Sequence, residues 1–159
     1  MLKKIAALLC LMAGLAACQQ QADYQARQDI RFAVAQAPIT LDPRYATDAA
    51  SARLNRLLYR ALVGFDASSK PVADLATWQV IRPTQYRFVL GQAGRTFHDG
   101  SKLNASDVQA TYQSLLALKD SPLSAEFANI SHIQVLDDNT LDFYLNAADS
   151  AFPAKLIIG

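Results

Sequence analysis

Strict alternation of apolar and polar residues is typical of β-strands and occurs in several parts of this chain. Residues 29–36 alternate first, with Ile30, Phe32 and Val34 on one face, which predicts a half-buried strand. Two later pairs of stretches are separated by residues that favour turns, and each pair predicts an antiparallel hairpin. The first pair, 78–82 with 85–90, is rich in β-branched and aromatic residues, and the second pair, 133–135 with 141–145, alternates.

A first stretch with helical spacing lies between these strands. Its predicted apolar face has offsets of three, four, seven and eight residues. Thr47 or Asp48 can serve as N-cap, and Gly64 either ends the helix or bends the chain into a short strand that finishes at Phe65. The predicted face consists of Leu54, Leu57, Leu58, Ala61 and Leu62, with Arg53, Arg56 and Arg60 near or on the outer side.

A second helix is predicted to begin after Asn104, which can cap it, while Asp107 lies near the positive end of its dipole. Its apolar stripe is Val108, Tyr112, Leu115 and Leu116. The order of strand, helix, several strands, helix and hairpin predicts an α/β fold class in which helices and strands are mixed (α+β).

Composition limits the class of protein further. The chain has 159 residues, of which 52% are hydrophobic and 18% charged, so it can bury the core of about one domain. The formal net charge of +1 gives no basic field that would attract nucleic acid, and we expect no nucleic-acid partner.

Candidate catalytic and metal-binding groups are few. The two histidines, His98 and His132, cannot form a metal cluster alone. No nucleophile and base stand at motif spacing, so we expect no catalytic residues, no metal site and no cofactor. Asp99–Gly100 is interpreted as a tight turn, and Trp78 and Tyr112 as core aromatic residues.

The first residues have the pattern of an export signal. Lys3 and Lys4 precede a short apolar run that ends in small residues, and this run is too short for a permanent membrane-spanning helix. Its end, Leu15-Ala16-Ala17-Cys18, resembles the lipobox of bacterial lipoproteins. That resemblance implies a signal peptide over residues 1–17 and a diacylglycerol on Cys18 that anchors the protein to a membrane. An ordinary signal peptide with an incidental cysteine is the alternative. Residues 18–28 are polar and aperiodic, and we interpret them as a flexible tether.

Four short stretches follow the lipobox: Leu41-Asp42-Pro43, Leu58-Tyr59-Arg60-Ala61-Leu62-Val63, Asp74-Leu75-Ala76-Thr77-Trp78, and residues 97–108 with His98-Asp99-Gly100. In this order and behind a lipobox, they resemble the family-5 extracellular solute-binding proteins, the dipeptide- and oligopeptide-binding proteins of bacterial ABC importers. A later match is the turn at residues 135–141.

The resemblance implies a truncated periplasmic-binding-protein type II fold. Residues 29–159 would form the first part of lobe one and the small extra subdomain of this family, without the second lobe. The implied function is that of a lipid-anchored receptor on the periplasmic or extracytoplasmic side of the membrane. Such a receptor captures a peptide or similar small solute and delivers it to the permease subunits of an ABC importer.

The resemblance also suggests a ligand-binding loop. In similar proteins the loop after Leu-Asp-Pro lines the cleft and offers backbone groups to a peptide, which places Tyr45, Thr47, Asp48 and Ala49 at the ligand. A plain helix N-terminus explains Thr47 and Asp48 equally well.

Other functional hypotheses stay open on the sequence. Family members that bind nickel complexes, haem, sugars or glutathione are alternatives for the ligand. A truncated envelope lipoprotein that only contacts other proteins is a second hypothesis, and an envelope enzyme a third. The apolar segment at residues 151–159 either packs on this domain or belongs against a surface that the chain lacks.

Overall fold

The computed structural model describes residues 32–157. The signal peptide predicted at 1–17, the lipidation site Cys18, the tether at 18–28 and the start of the strand predicted at 29–36 lie outside the described residues. Phe32 and Ala33 belong to a first unit of the chain, and everything from Val34 onwards belongs to a second, compact unit. None of the helices in the described range is long and apolar enough to span a bilayer.

A four-stranded antiparallel sheet is the centre of the second unit. Its strands lie in the order β3–β4–β6–β5, so that the two hairpins pair side by side. Both predicted hairpins are therefore confirmed. The strands are β3 (Ala76–Arg82), β4 (Gln85–Leu90), β5 (Ile130–Val135) and β6 (Thr140–Leu145).

A smaller antiparallel ladder precedes this sheet. It pairs β1 (Val63–Phe65) with β2 (Pro71–Ala73). The turn between these strands forms because the Asp66 carboxylate accepts the backbone N–H groups of Ser68 and Lys70, at 2.8 and 2.9 Å. Gly64 is part of the short strand that ends at Phe65. Of the two alternatives predicted for Gly64, the bend into a strand is therefore correct.

Three α-helices and one 3-10 helix complete the described residues. They are α1 (Ala49–Leu58), α2 (Ala105–Ala117), the 3-10 helix (Ser124–Phe127) and α3 (Phe152–Lys155). The predicted cap of α2 is confirmed and is a full capping box. The Asn104 side chain accepts the backbone N–H groups of Ser106 and Asp107, while the Asp107 carboxylate accepts the N–H of Asn104.

The core lies between one face of the sheet and three of these helices, α2, the 3-10 helix and α3. Tyr112 of α2 packs against Phe143 and Phe127 with ring centroids 5.3 and 5.5 Å apart, and Trp78 packs at the margin. Tyr112 and Trp78 are thus core aromatic residues, as predicted. Burial raises the pKa of the Tyr112 hydroxyl, because the ionised form cannot be solvated there.

The apolar C-terminal segment packs on this core. Of the two alternatives for residues 151–159, packing on this domain is therefore correct for residues 151–157. Phe152 lies against Phe143 and Tyr86, and Leu156 is fully buried. The backbone carbonyl of Leu156 also accepts the N–H of Val63 at 3.2 Å, which ties α3 to β1.

The strand predicted at residues 29–36 is wrong over its described part. Residues 32–36 form no strand, and Phe32 and Val34 are exposed. Alternation specifies a strand only when a neighbouring strand accepts its hydrogen bonds. Within residues 32–157 no strand pairs with this stretch.

The prediction for the first helix is right in position and wrong in orientation. Helix α1 ends at Leu58, and Leu57 and Leu58 are 62% and 53% exposed. Its buried residues are Ser51 and Asn55, because the Ser51 hydroxyl binds the preceding chain. Leu62 does reach the core, but from the segment after the helix.

Candidate functional site

The segment that leads into α1 begins with a tight turn at Asp42–Tyr45. The N–H of Tyr45 donates to the carbonyl of Asp42 at 3.1 Å. Inside the turn, the Asp42 carboxylate accepts the guanidinium Nε and Nη2 of Arg44 at 2.9 and 2.6 Å. These hydrogen bonds from Arg44 lower the pKa of Asp42, so the pair stays charged near neutral pH.

One side of this turn is attached to α2 and to the residues that follow that helix. Arg44 Nη1 donates to Ser114 Oγ at 3.2 Å, and Ser121 Oγ donates to the carbonyl of Arg44 at 2.6 Å. The Tyr45 hydroxyl lies 3.3 Å from a carboxylate oxygen of Asp120. Partial burial, and then the nearby charge of Asp120, raise the pKa of Tyr45.

The other side is attached to α1. Asp48 is the N-cap, and its Oδ1 accepts the N–H of Ser51 at 2.9 Å. Hydrogen bonding to Ser51 lowers the pKa of Asp48. Ser51 Oγ in turn accepts the backbone N–H groups of Ile39 and Thr40, at 3.0 and 3.1 Å. The segment before the helix is therefore fixed along the first turn of α1.

The four residues predicted to meet a ligand lie together in the stretch between these attachments, which we call the 45–49 loop. Tyr45 is half-buried and turned towards Asp120, Asp48 is occupied as the helix cap, and Thr47 and Ala49 are exposed. The backbone N–H groups of Ala46, Thr47, Asp48 and Ala49 donate to no other described residue. Within residues 32–157, the loop thus presents unpaired main-chain donors at a helix N-terminus, where partial positive charge accumulates.

A groove of about 470 Å³ extends from this loop along α1 towards β1 and the 3-10 helix. Ala46, Asn55, Glu126 and Lys155 are among the residues that line it. Sequence reasoning missed Asn55, because the leucine pattern predicted the opposite face of α1 to point inward. The available signal was the spacing of Ser51 and Asn55, which are four residues apart and share one helix face.

Two other singled-out motifs have structural roles. Gly100 has φ +87°, and the Asp99 carboxylate accepts the N–H and hydroxyl of Ser101 at 2.9 and 2.6 Å, so the predicted tight turn is confirmed. His132 lies exposed in β5, with its ring stacked 4.2 Å from that of Tyr144. Neither motif contacts the 45–49 loop.

A helix-flanked antiparallel sheet with a braced loop at a helix N-terminus is an arrangement suited to binding a small ligand. Sequence comparison identifies the class of protein. Residues 70–158 match the middle region of the bacterial extracellular solute-binding proteins, family 5. This match covers more than half of the sequence, and the chain belongs to that family. The predicted family and the mixed α/β fold class are both confirmed.

Solved structures agree with this fold. The binding protein AgaA of A. tumefaciens R10, in complex with agropinic acid, is 26% identical with a TM-score of 0.71, over 76% of this chain and 25% of that one. The oligopeptide-binding protein AppA of Bacillus subtilis, in complex with a nonapeptide, is 26% identical with a TM-score of 0.66, over 73% of this chain and 24% of that one.

A third match, NikZ of Campylobacter jejuni in complex with Ni(L-His), shares the fold at 24% identity and a TM-score of 0.67, over 82% of this chain and 26% of that one. The chain therefore spans about a quarter of the length of the solved proteins it matches.

Proposed function

We propose that this chain is the N-terminal part of a substrate-binding lipoprotein that captures a peptide or similar small solute for an ABC importer. Family membership supports the solute-binding role. The observation that carries the peptide assignment is the 45–49 loop, which is braced on two sides while four of its backbone N–H groups have no partner among the described residues.

Main-chain donors suit a ligand whose sequence varies. Every peptide offers carbonyl groups along its backbone, so a loop that donates N–H groups recognises peptides without selecting side chains. The positive end of α1 adds attraction for a carbonyl or a terminal carboxylate. In this proposal Thr47 and Ala49 face the ligand, while Tyr45 and Asp48 shape the loop around it.

The domain assignment follows from the same proposal. Residues 29–159 supply the first part of lobe one and the small extra subdomain, and a second lobe of the complete protein closes over the ligand. Closure is driven by contacts that the ligand makes better in the closed state than in the open one. This segment alone therefore lacks half of the contacts that hold a ligand.

The decisive variant removes one main-chain donor and keeps the helix. Ala49 is the first residue of α1, where proline is well tolerated because its N–H has no partner inside the helix, and the extended Asp48 backbone suits a following proline. We expect Ala49→Pro in the complete protein to weaken binding of a nonapeptide about tenfold, because one main-chain hydrogen bond is lost.

Ala49→Ser, which keeps the N–H, is the matched control and should bind as the wild type does. Fluorescence titration measures both variants. Equal affinities for Ala49→Pro and Ala49→Ser would remove the loop from the ligand site.

The lipid anchor has its own test, in which the two cysteines serve as a matched pair. Metabolic labelling with radioactive palmitate should mark the wild type and Cys10→Ala, and leave Cys18→Ala unmarked. A wild-type protein without label would contradict the anchor and favour an ordinary signal peptide. A labelled protein that binds no solute would favour the interaction-only lipoprotein.

A further inference from the structure

The 45–49 loop is held from one side by residues far away in the sequence. Ser121 is the centre of this attachment: its hydroxyl donates to the carbonyl of Arg44 at 2.6 Å and accepts the N–H of Leu123 at 3.2 Å. Ser121 is buried, and 77 residues separate it from Arg44. A buried hydroxyl that uses both its donor and its acceptor is a well-defined anchor.

Arg44 carries the second half of the attachment. Two of its guanidinium nitrogens hold the Asp42 carboxylate, and the third, Nη1, donates to Ser114 Oγ on α2. The Ser114 hydroxyl is itself directed, because it donates to the carbonyl of Thr111 at 3.0 Å. The planar fork of arginine makes these contacts at once, which the single ammonium of lysine cannot reproduce.

Helix α2 is in turn fixed on the sheet through Tyr112 and Leu115, which are both buried in the core. The position of the loop is thus transmitted from the sheet, through α2, to Arg44 and Ser121. On the α1 side, the hydrogen bonds within the described residues are those of Asp48 and Ser51.

We propose that Arg44 and Ser121 are positioning residues for the ligand-binding loop. They touch no ligand; they fix the start of the loop whose N–H groups, at Ala46, Thr47, Asp48 and Ala49, have no partner among the described residues. This role rests on the proposed function, in which those groups meet the peptide. Its physical basis is preorganisation, since a loop that is already ordered loses less conformational entropy when the ligand binds. The sheet and α2 would then act on the ligand site without contacting the ligand.

Hydrogen–deuterium exchange of the complete protein tests the attachment without any ligand. The N–H of Tyr45, which is bonded inside the turn, should exchange about tenfold faster in Ser121→Ala and in Arg44→Lys than in the wild type. Amides of β4 and β6 should not change, which separates loop release from loss of the fold. Thr111→Ala on α2 is the control, because within the described residues its hydroxyl bonds to the carbonyl of Asp107 and not to the turn that contains Arg44.

Titration of the same proteins with a nonapeptide tests the consequence. We expect Ser121→Ala and Arg44→Lys to bind about fivefold more weakly, and Thr111→Ala to bind normally. A released loop with unchanged affinity, or an unchanged exchange rate at Tyr45, would overturn the positioning role. A wild-type protein that binds no peptide would instead overturn the proposed function, and the positioning role would fall with it.

Discussion

Two regions of the second unit differ in how they use their apolar residues. Every buried hydrophobic residue of the described core lies at position 62 or later, mostly in the sheet, α2 and the C-terminal segment. Residues 34–59 contribute none of them. Instead, Ile39 is 78% exposed and Leu57 is 62% exposed, while the buried residues of α1 are the polar Ser51 and Asn55.

This difference shows which part of the chain is stabilised by contacts within this segment. The sheet region encloses its core with residues of this segment, whereas the N-terminal region is held mostly by hydrogen bonds and exposes its leucines. An exposed apolar helix face of this kind is typical of a surface that packs against more protein. We therefore expect the exposed face of α1 that carries Leu57 and Leu58, here called the leucine face, to be covered in the complete protein.

The largest expected effect is in the core of the sheet region. Phe143 is fully buried and contacts the rings of Phe88, Tyr112 and Phe152. Phe143→Ala should lower the free energy of unfolding of segment 19–159 by about 3–5 kcal/mol, because it leaves a cavity. Urea unfolding, followed by the fluorescence of Trp78, measures this loss. A loss below about 1 kcal/mol would mean that the core is not packed as described.

The buried ion pair on the other face of the sheet comes next. Asp142 is 1% exposed and accepts the Arg87 guanidinium at 2.8 Å and the Gln85 amide at 2.8 Å. Asp142→Asn should cost about 2 kcal/mol at neutral pH, because the buried carboxylate loses its charge-assisted hydrogen bonds, while the Arg87 side chain is 36% exposed and stays partly solvated. Asp66→Asn in the exposed turn is the control and should cost much less.

The same pair predicts a pH dependence. The hydrogen bonds from Arg87 lower the pKa of Asp142 below its ordinary value of 3.8, so the unfolded chain binds a proton at this site more readily than the folded one. The resulting stability is fully present above that value and is lost as the pH falls through the lower, folded pKa. Urea midpoints measured between about pH 5 and pH 2 should fall more steeply for the wild type than for Asp142→Asn. Parallel curves would contradict the assignment.

A substitution in the leucine face of α1 should have a smaller effect on stability. It tests the difference between the two regions most directly. Leu57→Ala should change the stability of segment 19–159 by less than about 0.5 kcal/mol, because the side chain is already exposed. In the complete protein the same change should cost about 2 kcal/mol, if other parts of the chain cover this face. Equally small effects in both proteins would show that the leucine face is not covered in the complete protein. The explanation given for the difference between the two regions would then be wrong.

An effect smaller than that of Leu57→Ala in the complete protein concerns the hydrogen bonds that hold the N-terminal region. Ser51→Ala removes the acceptor of two backbone N–H groups, those of Ile39 and Thr40, and should cost about 1 kcal/mol. Ser106→Ala on the exposed surface of α2 is the matched control. Amide exchange at Ile39 and Thr40 should rise in the first variant and stay unchanged in the second.

The same two regions explain how far the sequence could predict the fold. The hairpins, the capping box of α2 and the turns at Asp66 and Asp99 depend on contacts between nearby residues, and all of them were predictable. The strand at 29–36 and the orientation of α1 could not be predicted. Their sequence patterns show that one face is apolar. The surface that covers this face depends on distant parts of the chain.

The candidate site divides in a similar way. The cap at Asp48 follows from local chemistry, and the resemblance to the family placed the 45–49 loop at the ligand. The attachment of Arg44 to Ser114 and Ser121 could not be predicted, because it joins residues at least 70 positions apart that form no sequence motif.

The central claim is that this segment holds one side of a ligand site whose other side belongs to the complete protein. Calorimetric titration with a nonapeptide tests it most directly, with the complete protein and segment 19–159 measured side by side. We predict micromolar or tighter binding by the complete protein and no measurable heat with the segment. Micromolar binding by the segment alone, or no binding of any peptide by the complete protein, would contradict the account.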